Sequence, residues 1–143
     1  MQIREIMSKD VHLVDQSTTI RDCARQMRDD DVGALPVGDN DRLIGMVTDR
    51  DIAVRGVAEA KSLDSTVREV MSEGILTCTE DDDIEDAARH MAEHKVRRIP
   101  VLDSDKRLCG MLSVADLAKA GIKGAEFQAY REIAQPTGSP RQM

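Results

Sequence analysis

Thr48 and Asp51 stand three residues apart at the end of an apolar run, and so do Ser113 and Asp116. A hydroxyl followed three positions later by a carboxylate can do two kinds of work at a helix start. The pair can cap the helix, each side chain satisfying an orphan amide. It can also hold a nucleotide. The hydroxyl and the free amides of a first helical turn donate to phosphate, and the two acceptor oxygens of Asp match the 2′,3′-diol of a ribose. Taken singly, the spacing more often marks an ordinary cap. Here it recurs inside a longer frame: Leu43-Ile44-Gly45-Met46-Val47-Thr48-Asp49-Arg50-Asp51-Ile52 returns as Leu108-Cys109-Gly110-Met111-Leu112-Ser113-Val114-Ala115-Asp116-Leu117.

The frame belongs to a duplication that runs through most of the chain. Ile3-Arg4-Glu5-Ile6-Met7-Ser8 returns as Val67-Arg68-Glu69-Val70-Met71-Ser72, an offset of 64. At the same offset Ile20 to Met27 returns as Ile84 to Met91, and Val32-Gly33-Ala34-Leu35-Pro36-Val37 as Val96-Arg97-Arg98-Ile99-Pro100-Val101. From Arg42 onward the offset is 65, which places a one-residue insertion between Val101 and Arg107. Self-similarity of this kind is an internal repeat.

Within each copy, pattern predicts the elements that must position the hydroxyl and carboxylate. Val11 to Val14 and Ile75 to Cys78 are short β-leaning runs. Thr19 or Asp83, with an acid three residues later, caps a helix whose apolar residues repeat at Ile20, Ala24 and Met27. Strands follow at Ala34 to Val37 and Arg98 to Leu102, each joined by a polar turn to the Leu43 or Leu108 strand. A second helix begins just after Thr48 or Ser113. The expected architecture is α/β (α+β), two β-α-β-β-α repeats packed through their sheets with pseudo-two-fold symmetry. Repeat one is taken as 1–58, a linker as 59–65, repeat two as 66–121, and 122–143 as an extension. In that extension a short helix is expected over 126–134 and a disordered tail over 136–143. Each repeat alone is too small to bury a large core, so the two should pack together.

Composition narrows the function classes. The 143 residues are 41% hydrophobic and 33% charged, as expected of a globular protein. With no Trp, one Phe and one Tyr, the core must be built from Ile, Val, Leu and eight Met. A formal charge of −7 argues against a nucleic-acid surface. No run approaches the roughly 18 apolar residues of a membrane span, and Met1-Gln2-Ile3-Arg4-Glu5 does not open a secretory signal. A cytoplasmic location is expected. Cys23, Cys78 and Cys109 form no C-x-x-C pair and read as small buried hydrophobes rather than a disulfide or zinc framework.

Over Ile3 to Gly121 the chain resembles the tandem cystathionine-β-synthase-type (CBS) domain pair, or Bateman module. The resemblance is carried by the Ile-Met-Ser and Val-Met-Ser leaders, the Leu-Pro-Val and Ile-Pro-Val strands, and the two Gly-x-x-[Thr/Ser]-x-x-Asp junctions. It implies two ligand sites in clefts between the repeats, filled by AMP, ADP, ATP, NAD or S-adenosylmethionine. Asp51 and Asp116 would then hold ribose, and Thr48 and Ser113 would approach phosphates, with Arg50, Arg97 and Arg98 as further phosphate ligands. Adenine would lie against Val14, Ala34, Leu35, Cys78 and Ile99. Because the basic residues are placed differently in the two repeats, unequal occupancy is expected. The resemblance also implies a homodimer, with Ile52-Ala53-x-x-x-Val57 and Leu117-Ala118 as candidate pairing faces.

Two further patterns have blander readings. His90-Met91-Ala92-Glu93-His94 matches H-x-x-E-H, but aligns with the non-matching Gln26 to Asp30 and reads as a surface helix end. Asp29 to Asp31 and Glu80 to Asp83 read as solvated helix ends rather than metal sites. No catalytic constellation, resident cofactor or metal is expected. The reading is a stand-alone regulatory module that binds an adenosine-containing ligand and signals to an unknown protein by a change of shape or affinity. The alternative is a ligand-free dimerising scaffold.

Overall fold

The structure, a computed structural model, describes residues 1–122, so the expected helix over 126–134 and tail over 136–143 lie outside the described residues. The caps set where the two long helices begin. Thr19 Oγ1 accepts from the Asp22 amide at 3.1 Å and starts α1 (Ile20–Asp30). The Asp83 carboxylate accepts from the Glu85 amide at 2.8 Å and starts α3 (Ile84–His94). Both helices end on a left-handed residue, Asp31 and Lys95 (φ 53° and 55°), whose amide turns back onto the last carbonyls. Ile20, Cys23 and Met27 form the buried stripe of α1; Ile84, Ala87, Ala88, Met91 and Ala92 form that of α3.

Each helix covers a three-stranded sheet of the same topology. In the first, β1 (Val14–Asp15) pairs in parallel with β2 (Ala34–Asp39), which pairs antiparallel with β3 (Arg42–Thr48). In the second, β4 (Cys78–Thr79), β5 (Arg98–Leu102) and β6 (Leu108–Ser113) repeat that order. The first strands are shorter than the β-leaning runs predicted for them. The β2–β3 turn is tight, with Asn40 at φ 55°. The β5–β6 turn is longer and is organised by the Asp103 carboxylate, which accepts from the Asp105 and Arg107 amides at 2.8 and 3.0 Å. That turn is where the repeat offset changes.

The chain forms two compact units, and they do not follow the sequence repeats. Among the described residues, one comprises His12–Ile75; the other comprises Met1–Val11 together with residues 76–122. The leader Ile3–Ser8 therefore belongs with the second sheet, and the leader Val67–Ser72 with the first. Ile3 is fully buried beside Ile84, Ile99 and Leu117, while Val67, Val70 and Met71 are buried beside Ile20, Leu35 and Val47. Burying each such side chain is worth about 1.5–3 kcal/mol. Backbone bonds hold the leaders as well: Ile3 N donates to Asp82 O at 2.9 Å, and Val67 N to Thr18 O at 2.7 Å.

Each leader ends against the motif strand of its unit. Ser72 and Met46 exchange backbone hydrogen bonds at 2.8 and 3.0 Å; Ser8 and Met111 do so at 3.0 and 2.9 Å. This contact explains the glycine of the motif. A Cβ on Gly45 would sit 2.5 Å from Ser72 O, and one on Gly110 would sit 2.9 Å from Ser8 O and 2.5 Å from Met7 Sδ. By contrast, a Cβ on Gly56 would meet only Ile20 Cδ1 and Val70 Cγ1 at 3.6 and 3.8 Å, ordinary contact distances. Gly45→Ala should therefore lower unfolding stability by about 1–3 kcal/mol through overpacking against backbone. Gly56→Ala, in a helix with room, should raise it by up to about 1 kcal/mol. Urea unfolding of the two variants checks this, and a Gly45→Ala protein as stable as wild type would contradict the seating of the leader.

Candidate functional site

Both predicted hydroxyl-carboxylate pairs sit where a strand turns into a helix, and both form reciprocal boxes. At the end of β3, Thr48 Oγ1 accepts from the Asp51 amide and Asp51 Oδ2 accepts from the Thr48 amide, each at 3.0 Å. At the end of β6, Ser113 Oγ accepts from the Asp116 amide at 3.1 Å and Asp116 Oδ2 accepts from the Ser113 amide at 2.9 Å. The capping function is thus real in both copies. The cap uses Oδ2 of each carboxylate.

The register brings the remaining candidates to these junctions. Ala34 faces Thr48 and Arg98 faces Ser113 across the ladders. One residue earlier, the Gly33 carbonyl accepts from the Asp49 amide and the Arg97 carbonyl from the Val114 amide, both at 2.9 Å. Arg97, Arg98, Ser113 and Asp116 therefore converge in one unit, and Ala34, Thr48, Arg50 and Asp51 in the other. The surroundings differ in sign. Where the second repeat has Arg97, the first has Gly33, and the Asp49 carboxylate lies over it, 3.2 Å from where a Cβ would stand. Accessibility differs too: Thr48 is 1% and Asp51 8% exposed, whereas Ser113 and Asp116 are half-buried. Arg50 and Arg97 are exposed and Arg98 is half-buried.

The expected adenine-lining residues are all buried, but not in the same way. Val14 and Leu35 belong to the core of the His12–Ile75 unit, and Cys78 and Ile99 to the core of the other. Their side chains are packed inward, while Ala34, adjacent to Leu35, stands outside those clusters. Leu117, expected on an outward pairing face, is fully buried in the core beside α3, because the first turn of its helix closes over that sheet.

One charged residue of this region was not singled out by sequence. The helix after Thr48 starts as α2 (Asp49–Asp51) and continues as a π-helix over Ile52–Val57, whereas Ser113 is followed by the regular α4 (Val114–Lys119). Arg55, inside the π-helix, donates from Nη1 to the Met71 carbonyl at 3.2 Å and to the Val70 carbonyl at 3.5 Å. Its Nε lies 3.9 Å from Asp51 Oδ1. An Arg four residues after the motif Asp was the available signal. At the corresponding place, 65 residues on, the second repeat has Ala120.

The profile of the CBS domain matches residues 3–56 and 67–123. The chain belongs to the CBS-domain family. Hypoxic response protein 1 of Mycobacterium tuberculosis is 38% identical to this CBS pair over 135 residues, spanning 93% of this chain and 94% of that protein. A crystal structure of Hypoxic Response Protein I with two coordinated zinc ions superposes with a TM-score of 0.76 at 38% identity, covering 83% of this chain and 98% of the other. The structure of CBSX2 in complex with AMP gives a TM-score of 0.74 at 30% identity, covering 84% of this chain and 95% of that one.

Among the described residues of the CBS pair, no group of three or more His, Cys, Asp or Glu is arranged to hold a metal. His94 Nδ1 donates to the His90 carbonyl at 2.9 Å, so one of the two imidazoles is turned onto its own helix. No described helix is long and apolar enough to cross a membrane. Burial pushes the Cys23 thiol up to about 11 and the Cys78 thiol to about 12, with nearby carboxylates adding to the effect. Burial and the Glu80 carboxylate also raise Cys109, to about 12. A thiol whose folded pKa is raised keeps its proton better folded than unfolded, so its stabilising contribution holds below the unfolded value near 9 and is lost as pH rises from there. Stability should therefore fall between pH 9 and 11, and Cys23 and Cys78 should resist iodoacetamide at pH 8 until the protein is unfolded. Rapid alkylation of both in the native state would contradict their burial.

Proposed function

We propose that this CBS pair is a regulatory module without catalysis of its own, binding an adenosine-containing ligand at the Thr48/Asp51 and Ser113/Asp116 junctions. The observation that carries the reading is the reciprocal box, which fixes each Asp carboxylate at the strand-to-helix junction, where a ribose hydroxyl would donate to it. The structure of CBSX2 with AMP, at 30% identity, supports an adenine nucleotide as the ligand class. Arg97, Arg98 and Ser113 would meet the phosphates in one unit. In the other, Arg50 stands beside Asp49 and Asp51, so a phosphate is less favoured there and the two sites fill unequally. With Leu35 and Ile99 packed inward, adenine is recognised through backbone groups of the segments around Ala34 and Arg98. Ligand occupancy would change shape or affinity for a partner protein in the cytoplasm.

A ligand-free scaffold is the second reading, favoured by the fact that both carboxylates already have structural work. Asn substitution separates the two. An Asn can turn its single oxygen toward the Thr48 or Ser113 amide and keep the cap, which leaves its NH₂ facing the ribose. Asp51→Asn and Asp116→Asn should each weaken AMP binding by about 1.5–3 kcal/mol, roughly tenfold or more, with stability reduced by less than about 1 kcal/mol. Calorimetric titration and thermal melting of nucleotide-free protein measure both. Unchanged binding with an earlier melt would favour the scaffold.

A homodimer forms part of the proposal. Ala53 is exposed, and Val54 and Val57 are 46% and 66% exposed along the π-helix, an apolar face suited to a second copy. Val57→Glu should convert a dimer into a monomer in sedimentation velocity at micromolar concentration. A wild-type protein that sediments as a monomer under the same conditions would remove the dimer.

A further inference from the structure

Arg55 is shared between two parts of the same unit. Its Nη1 reaches the carbonyls of Val70 and Met71 in the leader, and its Nε faces the Asp51 carboxylate at 3.9 Å, beyond hydrogen-bond reach but within electrostatic pull. The π-helix that carries it also lays Gly56 near Val70, so helix and leader meet at two adjacent points. Just beyond, the leader ends in the reciprocal Ser72–Met46 backbone pair on β3. In the second repeat the same motif, glycine seat and leader pair are present, but Ala120 stands where Arg55 would.

We propose that Arg55 couples occupancy of Asp51 to the anchoring of the leader Val67–Ser72, making the first repeat the responsive one. The inference rests on the reading of Asp51 as a ribose-holding carboxylate. In the ligand-free state the carboxylate and the two carbonyls share one guanidinium, the carbonyls through Nη1 and the carboxylate through Nε. A ribose hydroxyl that donates to Asp51 Oδ1 disperses the carboxylate's charge and weakens its pull. Arg55 then settles on the carbonyls of Val70 and Met71, and the leader is held more firmly. Arg55 is a positioning residue in this scheme, and the second repeat has Ala120 at the corresponding place. Linkage makes the coupling reciprocal: whatever AMP adds to the leader's anchoring, the anchored leader adds to AMP affinity.

Amide hydrogen exchange on the whole chain tests this, with AMP as the probe. The Ser72 and Met46 amides report the leader on β3, and the Ser8 and Met111 amides, held by the same kind of pair with Ala120 at the place of Arg55, serve as the internal control. In wild type, AMP should slow Ser72 and Met46 more than Ser8 and Met111. In Arg55→Gln, ligand-free exchange at Ser72 and Met46 should be about tenfold faster, as expected for loss of hydrogen bonds from a charged donor. AMP should no longer slow it selectively, and AMP affinity should fall by the factor of protection lost. Selective slowing that persists in Arg55→Gln, or its absence in AMP-saturated wild type, would overturn the coupling. AMP that binds Asp51→Asn as well as wild type would instead overturn the ribose reading, and ligand-free exchange in Arg55→Gln would still decide whether Arg55 anchors the leader.

Discussion

The reciprocal hydrogen bonds between Thr48 and Asp51, and between Ser113 and Asp116, are the constraint around which each unit is arranged. A strand that turns directly into a helix leaves its last amide and the first helical amides without partners inside the helix. A hydroxyl and a carboxylate three residues apart satisfy one amide each, and the turn is fixed in both directions. Once fixed, it places the preceding strand against the leader, so that Gly45 must lack a side chain where Ser72 O approaches. It also places the helix's first amide under the carbonyl of Gly33 or Arg97, which brings the residues around β2 and β5 to the same point. A cap, a glycine seat and a strand register together concentrate polar groups at the end of a sheet otherwise filled with Val, Ile and Leu.

Duplication then allowed the two junctions to diverge while the frame stayed constant. The first junction is buried, flanked by Asp49 and served by Arg55; the second is more open and flanked by Arg97 and Arg98. Gly56 and Gly121 occupy the same place in the repeat but do different work. The first lies within a π-helix packed against Ile20 and Val70, and the second ends α4 in a left-handed conformation at φ 74°. π-helical turns are rare and concentrate at functional positions. Here the turn carries the arginine that distinguishes the two repeats.

Much of this was legible in the sequence because the informative features were local. The caps at Thr19 and Asp83, the order of the elements and the two boxes follow from spacing within about ten residues, and the insertion in the β5–β6 turn follows from the change of repeat offset from 64 to 65. What was not legible depends on choices the sequence pattern leaves equivalent. The two leaders are nearly the same, Ile3-Arg4-Glu5-Ile6-Met7-Ser8 and Val67-Arg68-Glu69-Val70-Met71-Ser72, so each fits either sheet and the pattern does not say which one it joins. Likewise Leu117 and Ile52 share a motif position, yet one is fully buried and the other half-buried, because only one of the two helices stays α-helical beyond it. Arg55 was overlooked since its partners are backbone carbonyls of a segment fifteen and sixteen residues away, which no side-chain pattern encodes.

The central claim is that each motif carboxylate both caps its helix and holds a ribose. Titrating AMP and its 2′,3′-dideoxy counterpart into wild type, Asp51→Asn and Asp116→Asn tests it most directly, because a contact cannot be removed twice. The dideoxy compound should bind wild type about tenfold or more weakly than AMP, and the substitutions should weaken its binding little further. Equal binding of AMP and the dideoxy compound to wild type, or fully additive losses in the variants, would contradict the claim and leave the boxes as caps alone.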